Sequence, residues 1–210
     1  MGVRKPPKAI LRLPGELLDD FWGVLGGWER GRALWLSGGL SALAVELFSY
    51  FYFQRHLGLK PCEYCVLIRF AVLGLALGGF LGAIVPAFFP AKLPGYLLSL
   101  SASLWGLHLS VKLDFINLAA MDPDFFSPCA SGRVKFPFGL EPDKLFPAHF
   151  SALGTCGADS AWSFWDFTMP EILIIVFSLY ILGLLLMLAA SILARRRSLK
   201  GSGATPPAGT

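Results

Sequence analysis

Lys60-Pro61-Cys62-Glu63-Tyr64-Cys65-Val66-Leu67-Ile68-Arg69 sets two cysteines in C-x-x-C spacing where a short polar loop turns into a long apolar run. Pro61 suits the first position of a helix, where the N–H it lacks would find no partner anyway, and the apolar run beyond it continues that helix. Cys62, Cys65 and Arg69 then share one face, because residues three and four apart stack on a helix. The unpaired N–H groups at the helix start favour a thiolate, as does a guanidinium one turn further in. The stretch reads as a redox-active dithiol at a membrane boundary. Two plainer uses of the motif fit less well. A structural zinc site needs two more ligands, and His56, His108 and His149 form no second paired motif with the remaining cysteines. A purely structural disulfide across a C-x-x-C closes a very short loop and so removes little entropy from the unfolded chain.

Outward from this stretch, the apolar run belongs to a chain of 210 residues that is 55% hydrophobic, with a mean hydropathy of +0.61. That is too apolar for a soluble domain of this size. About 20 apolar residues cross a bilayer, and four stretches qualify: roughly Ala33 to Phe53, Val66 to Phe89, Leu93 to Leu113 and Pro170 to Leu193. The expected fold is therefore an all-α integral membrane protein, a four-helix transmembrane bundle. The third stretch carries Ser99, Ser101, Ser103, His108, Ser110 and Lys112, which suits a helix facing protein or a ligand rather than lipid all round.

The net charge of +4 reports topology rather than a nucleic-acid partner. Arg4, Lys5, Lys8, Arg12, Arg30 and Arg32 precede the first span, Lys92 lies between spans two and three, and Arg195, Arg196, Arg197 and Lys200 follow the fourth. The positive-inside rule puts these segments in the cytoplasm. Both termini are then inside, and a long loop of about residues 114–169 is outside, together with the loop before Cys62. All four cysteines, Cys62, Cys65, Cys129 and Cys156, fall on the outer side, as an oxidising compartment such as a bacterial periplasm requires. The first 32 residues contain no apolar core followed by a small-residue cleavage site, so the first span is expected to act as its own insertion signal.

The pattern divides the chain into an N-terminal extension (1–32), a membrane domain (33–193) and a cytoplasmic tail (194–210), with disorder expected in its small-residue, Pro-rich end. Within the extension, Leu17, Leu18, Phe21, Trp22, Leu25 and Trp28 recur at helical spacing, which fits an amphipathic helix in the headgroup region or one docked on the bundle. Glu46 in the first span must face the bundle, for structural hydrogen bonding or for proton handling. Gly74, Gly78, Gly79 and Gly82 in the second allow close helix packing. In the outer loop, Leu140, Leu145, Phe146 and Phe150, with Pro142 and Pro147, suggest short helices resting on the membrane surface between Cys129 and Cys156.

Four spans, Lys-Pro-Cys-x-x-Cys before span two, Arg69 four residues on and a cysteine pair in the second outer loop together resemble the DsbB family of disulfide bond formation proteins. The resemblance runs from about Gly31 to Leu193 and takes in Ala44-Val45-Glu46-Leu47 and Trp165-Asp166-Phe167 with Met169-Pro170. Glu63-Tyr64 between the cysteines and the long N-terminal extension look more like the DsbI branch, whose members serve dedicated thioredoxin-fold partners. The resemblance implies an inner-membrane protein-disulfide oxidoreductase that reoxidises a periplasmic thioredoxin-fold dithiol oxidase, DsbA- or DsbL-like. Cys129 matches the position that forms the mixed disulfide with that partner, and Cys156 would then exchange with Cys62. Cys65 would hand the electrons to ubiquinone or menaquinone, with Arg69 at the quinone-contacting position. Where the family pattern has a histidine near the outer end of span three, this chain has Leu113, with His108 one to two turns away. Two other readings compete. A vitamin K epoxide reductase-like enzyme is also quinone-linked, but its C-x-x-C belongs near the last span. A membrane scaffold or small transporter with stapling cysteines would show no redox cycling.

Overall fold

The computed structural model describes residues 22, 24, 27, 31–84, 89–120, 134–154, 156, 163–165 and 167–202. Helix α1 (Arg32–Phe48) continues as a π-helix over Ser49–His56, and after a short loop α2 (Glu63–Ile84) turns back. Helix α3 (Phe89–Ala119) follows, then a 3-10 turn (Pro137–Gly139) and two single-turn helices, α4 (Pro142–Leu145) and α5 (Pro147–Phe150). A two-stranded hairpin, β1 (Ser163–Phe164) with β2 (Phe167–Thr168), leads into α6 (Met169–Ser202). Among the described residues, three helices are long and apolar enough to cross a membrane: Arg32–His56, Glu63–Ile84 and Met169–Leu193. This is a mostly helical membrane protein.

Helix α3 covers the expected third stretch and runs past it at both ends, so the loop that follows it begins after Ala119 rather than near Asp114. It stands apart from the other three in polarity, because Lys92, Lys112, Asp114 and its serines dilute the apolar run. Ser99, Ser103 and Ser110 are buried, whereas Ser101, His108 and Lys112 are exposed, so only part of its polar set faces protein. Ser103 and Ser110 satisfy their hydroxyls on the carbonyls of Ser99 (2.7 Å) and Gly106 (2.8 Å), four residues back. Helix α6 runs on to Ser202, so the basic stretch Arg195–Lys200, expected in a tail after the last span, is its final turns. Of the N-terminal amphipathic stretch, Trp22, Val24 and Gly27 are described and helical; its other residues, Cys129, Asp166 and the tail beyond Ser202 lie outside the described residues.

The helices pack in series, α1 on α2, α2 on α3 and α3 on α6. The ring closes where Tyr180 of α6 hydrogen-bonds Ser41 of α1 at 2.6 Å. Helices α1 and α2 touch backbone to backbone: a Cβ on Gly79 would lie 2.8 Å from both N and Cα of Gly39. Such an approach is how helices gain contact where lipid offers no hydrophobic drive. Toward the other end of α1 from the cysteines, Trp35 packs edge-on against Tyr96 with ring centroids 4.7 Å apart. The larger core cluster surrounds Cys62 and takes in Val66, Leu113, Phe136, Phe150, Cys156 and Phe177.

The loop segment is held on the bundle by aromatic packing. Phe136 and Phe150 are buried and lie 5.5 and 6.5 Å from the Phe70 ring of α2, and 5.9 Å from each other. Burying two such rings contributes about 1.5–3 kcal/mol each. Helices α4 and α5 both start on a proline, whose missing N–H costs nothing in a first turn. Leu140, Leu145 and Phe146 remain exposed beside them, an apolar edge on a segment otherwise outside the bundle.

Candidate functional site

The α-helical residues of α2 start at Glu63, two residues later than a proline at the first helical position implies. The Val66 N–H donates to the Cys62 carbonyl at 3.1 Å, which makes Cys62 the capping residue. Its sulfur takes the role that a serine oxygen has in most caps, accepting the Cys65 N–H at 3.3 Å. Pro61, one residue further out, presents its carbonyl to the N–H groups of Leu153 (3.0 Å) and Gly154 (3.1 Å). The segment leading to Cys156 is thus strapped across the start of α2.

Both C-x-x-C cysteines are free thiols, with their sulfurs 2.6 Å apart. Cys62 is buried and Cys65 is partly exposed. The hydrogen bond to Cys65 and, after it, burial push the Cys62 thiol well above the ordinary cysteine range. Cys156 is disulfide-bonded and buried within the same core cluster as Cys62.

Cys62, Cys65 and Arg69, expected on one face, all line a cavity of about 640 Å³ between α1, α2 and α6. Its wall is mainly apolar, with Glu46 and Lys60 as polar groups beside the cysteines and Arg69. Leu113 lines it as well, while His108 does not and is exposed elsewhere on α3. Arg69 is buried, and its Nη1 donates to Gln54 Oε1 at 2.6 Å and to the His149 carbonyl at 3.4 Å. Gln54 in turn donates its amide to the Ala148 carbonyl at 2.7 Å. Glu46 meets the His149 ring, with Oε1 2.6 Å from Nε2. Three side chains of the bundle therefore grip two consecutive residues of α5.

Gln54 and His149 were not among the residues singled out from the sequence. One signal for Gln54 was present, an amide near the end of an apolar span; for His149 there was none. The π-helical turns help to place Gln54, since an α-helix would carry it about 80° round from Glu46, whereas both reach α5 here. Such wide turns recur at functional sites.

A thiol pair on an apolar cavity, with a disulfide-bonded cysteine in the same core cluster, is the geometry of a thiol oxidoreductase. The family model described as disulfide bond formation protein DsbB matches residues 31–187. The chain belongs to the DsbB family. It is 37% identical to disulfide bond formation protein B of Pectobacterium atrosepticum, over 81% of this chain and 94% of that one. It is 36% identical to protein-disulfide oxidoreductase DsbI of Lelliottia amnigena, over 63% of this chain and 62% of that one. The family makes this chain a protein-disulfide oxidoreductase and sets aside the scaffold and vitamin K epoxide reductase-like readings. Relatives of both names match at similar identity, so the comparison does not divide the DsbB from the DsbI branch.

Proposed function

We propose that this chain reoxidises a periplasmic thioredoxin-fold dithiol oxidase, DsbA- or DsbL-like, and passes the electrons to ubiquinone or menaquinone in the inner membrane. The observation that carries the reading is the cavity: an apolar space of about 640 Å³ onto which both C-x-x-C cysteines and a buried arginine open. That donor set suits a flat apolar ring with polar oxygens, since pockets of this kind combine apolar walls with a few placed polar groups. A quinone held there accepts two electrons and two protons. Cys62 and Cys65 would line it on the α2 side, with Arg69 and Glu46 as its polar wall.

In this scheme Cys129 and Cys156 form the pair that meets the partner. A partner thiolate attacks Cys129, the partner's second thiol resolves the mixed disulfide, and the loop is left reduced. Exchange then runs from Cys156 to Cys62, and the Cys62–Cys65 pair ends as a dithiol. Each exchange moves two electrons with no net change in disulfides. The strap from Leu153 and Gly154 to Pro61 supports this step, because it holds the Cys156 segment beside Cys62. Helix α3 serves as the fourth span, and the exposed apolar edge of α4 and α5 rests on the outer leaflet.

The test uses the full chain in detergent with a reduced thioredoxin-fold partner and a soluble quinone. Quinone reduction is expected in the wild type and lost in Cys62→Ser and Cys65→Ser; full activity in both variants would end the reading. A partner lacking its resolving cysteine is expected to be trapped by the wild type and not by Cys129→Ala.

A further inference from the structure

Glu46 lines the thiol cavity with its side chain 4% exposed, and the ring of His149 that it meets at 2.6 Å is 22% exposed. His149 does not line that cavity. It lines a second hollow, of about 530 Å³, formed with Tyr50, Leu145, Phe146 and Phe150 on the side of the protein that carries α5. One hydrogen bond thus joins the thiol cavity to a separate hollow at the loop face, through two groups that can each take up and release a proton. Tyr50 and Phe150 pack on the His149 ring at 4.9 and 4.8 Å, and Arg69 holds the backbone carbonyl of the same residue.

We propose that Glu46 and His149 form a proton relay between the loop face and the thiol cavity. The proposal rests on the quinone-linked reading above and assigns it a proton path. The stoichiometry creates the need. Cys62 and Cys65, with sulfurs 2.6 Å apart, hold one proton between them when Cys65 is a thiolate. Reoxidation of that pair forms the S–S bond and releases two electrons and one proton, while reducing a quinone to a quinol consumes two of each. The Glu46 carboxyl group supplies the second proton and recovers it through His149 Nε2. The proton that left Cys65 on ionisation balances the account. Arg69 never deprotonates in this range. Lys60 and Tyr52 line the same cavity and are the competing donors.

The experiment compares wild type, Glu46→Gln, which keeps the side-chain shape, and His149→Ala in the full chain. Two readouts are taken: the infrared difference spectrum between dithiol and disulfide forms, and single-turnover rates of partner exchange and quinone reduction. The expected result is a redox-dependent carboxylic acid band that disappears in Glu46→Gln. Quinone reduction should slow at least tenfold in both variants with partner exchange preserved, and free imidazole should restore His149→Ala alone. If the pair only tethers α5, the band ignores redox state, partner exchange falls with quinone reduction and imidazole restores nothing; that result overturns the relay. A loss in Lys60→Met with none in Glu46→Gln overturns it too. A wild type that exchanges disulfides and shows the band but reduces no quinone overturns the quinone reading instead.

Discussion

At the scale of single residues, the site depends on what a buried arginine is allowed to bond. A guanidinium taken out of water is costly unless its donors are met, and Arg69 meets this with Gln54 and the His149 carbonyl while still forming part of the cavity wall. Snorkelling toward lipid phosphate, the other way for such a residue to manage, is not the arrangement seen. Arg69→Met removes a charged hydrogen bond worth roughly 1.5–3 kcal/mol. On the proposed reading the quinone KM should then rise about ten- to a hundredfold, while exchange between the partner and Cys129 keeps its rate. Arg69→Lys should recover part of the loss, because it retains the charge without the planar fork. Quinone titrations run beside partner exchange measure both, and an unchanged KM would remove Arg69 from the cavity's function.

At the scale of elements, two glycines set how closely α1 and α2 approach. Gly39 and Gly79 let the two backbones meet, and the cavity opens on the same pair of helices nearer the cysteines. Gly79→Leu has to push the helices apart, since backbone rather than a movable side chain faces the new Cβ. Overpacking of this kind costs about 1–3 kcal/mol. Gly38→Ala is the matched control: nothing lies within 4 Å of its added Cβ, and alanine favours a helix by up to about 1 kcal/mol over glycine. Denaturation in detergent should therefore show a clear loss for the first substitution and none for the second. Equal stability of the two would mean that the glycine contact is not what sets the helix spacing.

At the scale of the whole molecule, the number of crossings decides where every functional group lies. Among the described residues three helices are apolar enough by composition, and α3 differs because it carries polar groups, of which Lys92, Ser99, Ser103 and Ser110 are buried while Ser101, His108 and Lys112 are exposed. With α3 as a span, the start of α1 and the end of α6 face the same side; without it they face opposite sides. Single cysteines at Gly31 and Ser202, placed in a chain whose own cysteines are serine, separate the two. A reagent that cannot cross membranes should label both only in inside-out vesicles. Labelling of one site from each side would leave α3 out of the bilayer and put the C-x-x-C, between α1 and α2, on the opposite side from α4 and α5.

The sequence by itself determined what is local. Apolar length marked the helices, proline marked the starts of α4 and α5, and the C-x-x-C at the head of α2 pointed to thiol chemistry, because each signal is carried by residues that stay neighbours in the fold. The composition of α3 misled at its ends, where helix continues through polar residues that a hydropathy pattern leaves out. The tertiary structure alone decided the company that Arg69 and Glu46 keep. Their partners Gln54 and His149 lie 15 and 103 positions away along the chain, and no periodicity links them. They meet because α1 widens into π-helical turns, because Phe136 and Phe150 pin the loop to Phe70, and because a buried charge takes whichever partner the packing brings within reach.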